Sequence, residues 1–342
     1  LDLCLFANRQ DYLQTLQQVF RVDGSGSWGM CITSGRNMVL VGYRDDHSVE
    51  EMKPLLQHEG FHQFAGHLFP NLPPWANEGL AEVFERGVMV GDQLALGAVL
   101  PADYQRLQQA VRENKIVPFQ RFFTIGSSEW SQHVKDGQAQ LNYLQAWSLV
   151  HFFLFADEGK HQVPFLTFLV SLNRTGDWQR SFIAAFGWPD LEAMQREWLA
   201  YVETLKVVDY QEMSHRVAFL QAGSAQLGEQ GIFPASLELL QAELEKIDFQ
   251  LPVESGDKPR VLRAADKKLY QLPVVGKDTA ALQFRMMDKR GRLVTPETAL
   301  AKPTIPYDIV SDPIYLTSFS IKWRRHKKQI VSETGVVTLP PR

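Results

Sequence analysis

His58-Glu59-Gly60-Phe61-His62, followed past Pro73-Pro74 by Trp75-Ala76-Asn77-Glu78-Gly79-Leu80-Ala81-Glu82, is the stretch on which the reading of this chain turns. Two histidines four residues apart in a helix lie on one face, one turn apart. Their imidazole nitrogens can then reach one metal ion at a zinc–nitrogen distance of about 2.0–2.1 Å. Glu59 follows the first histidine directly, where a carboxylate can hold a metal-coordinated water and take its proton. Zinc lowers the pKa of such a water from about 15.7 towards about 7. Short matches of this kind also arise by chance on surface helices, so the neighbouring residues decide.

Glu78 supplies the third ligand. A catalytic zinc site commonly takes three protein ligands and leaves a fourth position open; His58, His62 and Glu78 make that count. Pro73-Pro74 lets the chain reverse, so a second helix packs beside the first and aims Glu78 at the metal. Without the histidine pair, Glu78 and Glu82 would read as a solvated acidic face. Glu82, one turn beyond Glu78, either accepts a hydrogen bond from the far nitrogen of a zinc histidine or is a plain surface glutamate. His67 fails as a ligand of the metzincin type. That pattern needs a glycine three and a histidine six residues after the second histidine, whereas Gly66 and His67 stand four and five after His62.

Outward from this stretch, the first helix starts either at Ser48, with Glu50 and Glu51 behind it, or at Pro54, and Pro70, Pro73 and Pro74 stop it. Towards the amino end, residues 1–7 and 28–42 carry strand signals. A Gly35-Arg36-Asn37 turn joins Met30–Thr33 to Met38–Gly42 as a hairpin. Tyr12, Leu13, Leu16, Val19 and Phe20 have helical spacing. Towards the carboxyl end, helices are expected at Trp75–Arg86, Ala102–Asn114, Ala139–Phe155, Pro164–Leu172, Trp178–Ala185 and Asp190–Leu205. Val90–Pro101 reads as a loop able to cover the site. Residues 208–247 read as two helices broken at Gly228, Gly231 and Pro234, a single αα-hairpin of the tetratricopeptide kind and too little for a repeat array. Beyond Leu251, prolines and short β-type runs alternate.

The chain of 342 residues divides in expectation into 1–206, a helical-hairpin extension 207–250 and a small β-rich domain 251–342. Hydrophobic residues make up 45% and charged residues 22%, which argues against disorder over most of the length. A net charge of −4 and a pI near 6.2 disfavour nucleic-acid binding through bulk charge. Lys322-Trp323-Arg324-Arg325-His326-Lys327-Lys328 is a local basic run, read as a solvated strand face or as a site for an anionic partner. No apolar run reaches the roughly 18–20 residues needed to span a bilayer. The chain opens at Leu1 inside an expected strand and reads as trimmed, so the lack of a leader is silent on localisation. Cys4 and Cys31 read as buried free thiols or as one disulfide joining neighbouring strands in an oxidising compartment.

His58–His62 with Trp75–Glu82 resembles the gluzincin branch of zinc peptidases. It is most similar to the peptidase-MA-like bacterial domains of unassigned substrate, including a planctomycete-type set. Leu5–Tyr12, Tyr143–Phe152 and Phe186–Leu191 through Trp198 and Tyr201 resemble other parts of that family, so the likeness covers roughly residues 1–206. The resemblance implies an α+β gluzincin-like domain, a small β-sheet with a helical bundle, holding Zn2+ through His58, His62 and Glu78. It implies Glu59 as general base and Tyr143 as donor to the oxyanion. His151 is the other donor on that helix but reads as a core histidine. By analogy, the strand Met38–Gly42 lies beside the cleft and pairs with an extended substrate. The aminopeptidase element Gly-Ala-Met-Glu-Asn is missing, which points to endopeptidase action on a peptide or protein substrate. An extracytoplasmic location, periplasmic or secreted, fits that reading. The alternative is a catalytically inactive or non-peptidase zinc-binding module acting in recognition.

Overall fold

The computed structural model describes residues 2–34, 37–46, 48–69, 71–187, 190–255 and 258–341. The Gly35-Arg36 turn, Pro70 and Trp188-Pro189 invoked above lie outside them. The chain is mixed α+β and divides into two compact units. The first comprises residues 1–87, 102–205 and 341–342, and the second residues 88–101 and 206–340.

In the first unit, strands β1 (Asp2–Phe6), β2 (Gly29–Ser34) and β3 (Asn37–Tyr43) form a sheet of order β1-β3-β2. β1 runs parallel to β3, and β2 antiparallel. Helix α1 (Arg9–Thr15), capped by Asn8, crosses the sheet and continues as a π-helical turn over Leu16–Phe20. Tyr12 and Leu16 are buried against Ile32 and Val41. Cys4 lies opposite Val41 and Cys31 opposite Leu40, consecutive residues of β3 that face opposite ways. Two ladder spacings of about 4.7–4.9 Å separate the cysteines' strands, beyond the roughly 7 Å Cα reach of a disulfide. Both thiols are free, and Cys4 is exposed rather than buried.

Helix α2 (Val49–Leu68) starts at Ser48, not at Pro54. The Ser48 hydroxyl accepts from the Glu51 amide, and the Glu51 carboxylate accepts from the Ser48 amide at 2.7 Å, a reciprocal cap that outweighs the proline's interruption further in. Pro74 occupies the first turn of helix α3 (Pro74–Glu85), where its missing N–H is harmless. Gln57 of α2 donates to the carbonyls of Phe84 and Gly87, both at 2.9 Å, satisfying groups that the end of α3 leaves open. Gln63 of α2 donates to the carbonyl of Met38 in β3. These amides tie α2 to both neighbours, and Phe61 stacks on Phe84 at 5.0 Å.

The remaining helices of this unit are α4 (Pro101–Arg112), α5 (Phe119–Phe122), α6 (Ser127–Lys135), α7 (Ala139–Phe155), α8 (Gln162–Thr175), α9 (Trp178–Phe186) and α10 (Leu191–Thr204). Trp75 of α3 stacks on Phe168 of α8 at 5.8 Å, and Phe153 of α7 on Phe165 at 5.2 Å. Each such side chain contributes on the order of 1.5–3 kcal/mol by leaving water. α3 crosses α7 at Gly79, where a Cβ would stand 2.5 Å from the Ala146 carbonyl oxygen. That close approach brings Glu78 beside α7, the helix of Tyr143.

In the second unit, β4 (Val88–Val90) and β5 (Gln93–Ala95) form a hairpin. The segment read as a loop, Val90–Pro101, is thus built into this unit: Val99 pairs with Val208, and Gln93 accepts from the Val336 amide. β6 (Val207–Val208) precedes helices α11 (Tyr210–Glu229) and α12 (Leu237–Lys246). β7 (Gln250–Ser255) and β8 (Lys258–Arg263) form a hairpin, and β9 (Val274–Val275) pairs with β6. β10 (Phe284–Met287), β11 (Asp308–Ser311), β12 (Thr317–His326) and β13 (Gln329–Thr338) form an antiparallel sheet in that order. Tyr210, Phe219 and Leu220 of α11, Leu244 of α12 and Phe319 and Ile321 of β12 share one core. Residues 207–250 and 251–340 therefore fold as a single unit. No helix among the described residues is long and apolar enough to cross a membrane.

Candidate metal centre

α2 and α3 bring His58, His62 and Glu78 together. The Nε2 atoms of both histidines lie 3.4 Å from Glu78 Oε2, and the three ligand atoms fall within 4.8 Å of one another. Tetrahedral corners about 2.0–2.1 Å from a zinc ion are about 3.4 Å apart. A direct charge-assisted hydrogen bond would be about 2.7–2.9 Å. The spacing suits three atoms turned towards a common ion better than three atoms bonded to each other, and two imidazoles with one carboxylate suit zinc.

The charges of this cluster are interdependent. Burial works against the His58 imidazolium, but Glu78, Glu85 and Glu59 around it outweigh that and raise its pKa to about 10. Burial likewise works against the Glu78 carboxylate, but the two histidines 3.4 Å away hold it at about 2. Any cation bound here displaces the proton from His58.

Behind the cluster, His58 Nδ1 lies 2.8 Å from Glu85 Oε2 and 3.8 Å from Glu82. The carboxylate bonded to that imidazole is therefore Glu85, and Glu82, left open in the sequence as such a partner or a plain surface glutamate, is neither. Glu82 is buried and bonded at 2.6 Å to Arg86, which also donates to Asp103 at 2.8 Å. Glu85 sits seven residues after Glu78 and so two turns along the same face of α3, a spacing that could have singled it out. Orienting carboxylates of this kind typically strengthen metal binding by about 10–100-fold. Glu85→Ala is expected to weaken zinc affinity by that factor in a competitive chelator titration; an unchanged affinity would remove Glu85 from this role.

Glu59 is buried, and burial pushes its carboxyl up against the opposing pull of His62 and His58. Its carboxylate accepts a hydrogen bond from the Cys31 amide of β2. Tyr43 donates to the Trp28 carbonyl, so by the alternation of an antiparallel ladder Gly29 and Cys31 aim their backbone groups away from β3. The expected substrate strand, Met38–Gly42, is instead the central strand, paired on both sides. The unpaired edge that meets Glu59 belongs to β2.

Tyr143 of α7 faces the same cluster. Its ring lies 6.4 Å from that of His58 and meets Trp130 edge-on at 5.4 Å. It lines a cavity of about 310 Å³ with Trp28, Leu55, His58, Glu59 and Glu85. Burial, reinforced by Glu78, pushes its phenol up, so it stays protonated and able to donate. His151 is buried and bonded to the Tyr201 hydroxyl at 2.7 Å, and His67 Nδ1 bonds the Gln63 carbonyl within its own helix. Compared with known proteins, the chain matches no family profile, no curated sequence and no solved structure.

Proposed function

We propose that the chain is a zinc-dependent hydrolase, an endopeptidase with a gluzincin-like first unit. The observation that carries the reading is the convergence of His58, His62 and Glu78, both histidine Nε2 atoms 3.4 Å from one carboxylate oxygen, with Glu59 and Tyr143 lining the cavity beside them. A zinc ion held by those three would polarise the scissile carbonyl and acidify its water towards pKa about 7.

The chain's own residues supply the rest. Glu59 takes the proton of the attacking water, and its burial, by raising its pKa, fits it to hand that proton to the leaving amine. The Tyr143 hydroxyl donates to the oxygen on which negative charge develops. The outward backbone groups of Gly29 and the Cys31 carbonyl pair with an extended peptide, and main-chain pairing of this kind favours polypeptide over other acyl compounds. Trp28, Pro54 and Leu55 give the cavity an apolar wall for a substrate side chain.

The test is metal analysis of the purified protein combined with digestion of a peptide library. Zinc bound by His58, His62 and Glu78 and cleavage that stops on chelation are expected. Zinc without cleavage of any library member would favour the recognition module, and no zinc would end the proposal. Tyr143→Phe is expected to lower kcat by about 10²–10³-fold with little change in KM. Unaltered kcat would make Tyr143 a packing residue.

A further inference from the structure

The basic run of the second unit lies on a projecting ribbon. β11 pairs with β12 only at Ile309–Ile321 and Val310–Ser320. Beyond Trp323 the hairpin continues as two strands, with Arg324 opposite Val331, Arg325 opposite Ile330 and His326 opposite Gln329. Arg324, Lys327 and Lys328 are exposed and make no ion pair among the described residues. The loop 288–304 is tied to this ribbon at two points. Lys289 donates to the Trp323 carbonyl, and Arg325 to the Thr304 carbonyl, both at 2.9 Å. Residues 288–304 and 322–333 together carry nine Lys and Arg against three Asp and Glu, in a chain whose net charge is −4. Asp288 pairs with Arg292, and Lys289 pairs with Asp308.

The same loop exposes two large apolar side chains, Leu293 at 44% and Leu300 at 61%. Cations on the ribbon, and leucines exposed on the loop tied to it, match an anionic lipid interface, which attracts the charges and accepts the apolar groups at the headgroup boundary. A phosphate backbone would reward the cations alone. Stacking of successive unpaired bases would need a row of exposed aromatic rings; of the ribbon's two rings the larger, Trp323, is buried, which leaves His326 alone.

We infer that the β12–β13 hairpin tip, with the loop 288–304, docks the protein on an anionic phospholipid surface. The experiment is co-sedimentation of the full chain with vesicles of phosphatidylcholine alone and of phosphatidylcholine with phosphatidylglycerol. Binding only to the phosphatidylglycerol vesicles is expected, and salt should release it. Charge reversal at Arg324, Lys327 and Lys328 together should weaken the partition at least about 10-fold. Leu293→Ser with Leu300→Ser should weaken it while leaving its salt dependence in place. Thermal melts check that the variants fold, and the salt dependence of the unaltered chain stands without them. Absence of binding to phosphatidylglycerol vesicles overturns the inference. So does equal binding by a folded charge-reversed variant, or tighter binding to a DNA duplex than to the vesicles. Hydrolysis is not the readout, so the outcome is independent of the proposed activity.

Discussion

Glu59→Gln is expected to lower hydrolysis by about 10²–10⁴-fold while the zinc content stays that of the unaltered chain. The amide keeps the size of the carboxylate and can still accept from the Cys31 amide through its oxygen, so β2 and α2 stay in register. It cannot take a proton at neutral pH. Glu59 stands outside the His58, His62 and Glu78 ligand group, so metal binding is separable from turnover at this residue. Plasma emission for zinc and a fluorescent peptide assay on the same preparation check both halves. Retained cleavage would sink the general-base role. Loss of zinc together with activity would show that Glu59 acts on the metal and not on the proton.

Arg86→Met is expected to destabilise the first unit by about 3–5 kcal/mol, the usual cost of leaving one side of a buried ion pair uncompensated. Arg86, Glu82 and Asp103 are each only 11–12% exposed. Arg86 also lies over the Trp147 ring at 5.1 Å, packing that methionine partly retains. Burial pushes the Glu82 carboxyl up, and Arg86 is the main group holding it down. Without the guanidinium, both acids must be neutralised or drawn towards water. Urea denaturation measures the loss, and adding Glu82→Gln and Asp103→Asn to the same chain should recover a large part of it. A loss below about 1 kcal/mol would mean that the group behaves as an exposed pair. Because α3 carries Glu78, zinc affinity should fall alongside stability.

That His58, His62 and Glu78 would lie close together was legible in the sequence because one helical turn sets the spacing of the histidines, and the proline turn between the helices limits how they can pack. The helix start was legible only as a choice between Ser48 and Pro54, which the reciprocal Ser48–Glu51 cap decides. Glu85 was legible only in part: its spacing of seven from Glu78 puts it on the same face of α3, but choosing it over Glu82 requires the rotation of α3 about its axis relative to α2. Gln57, which fixes that relation, bonds across 27 and 30 residues. The strand beside the cleft was misread for another non-local reason. A hairpin in the sequence has two edges, and only the parallel addition of β1 to β3 leaves β2 as the free one. The split at 250 was drawn where prolines begin, but composition does not reveal that α11 and β12 bury the same core.

Val88–Pro101 has a consequence for how the molecule is made. The amide that Gln93 accepts from belongs to Val336, 243 residues further on. At about 5–20 residues per second on the ribosome, the β4–β5 hairpin waits roughly 12–50 s for that partner. During that interval residues 102–205 emerge and can complete the first unit, with the hairpin held out of it as an unfinished edge. A nascent chain stopped at Leu205 would therefore carry an orphaned strand pair, a natural target for chaperones and proteases.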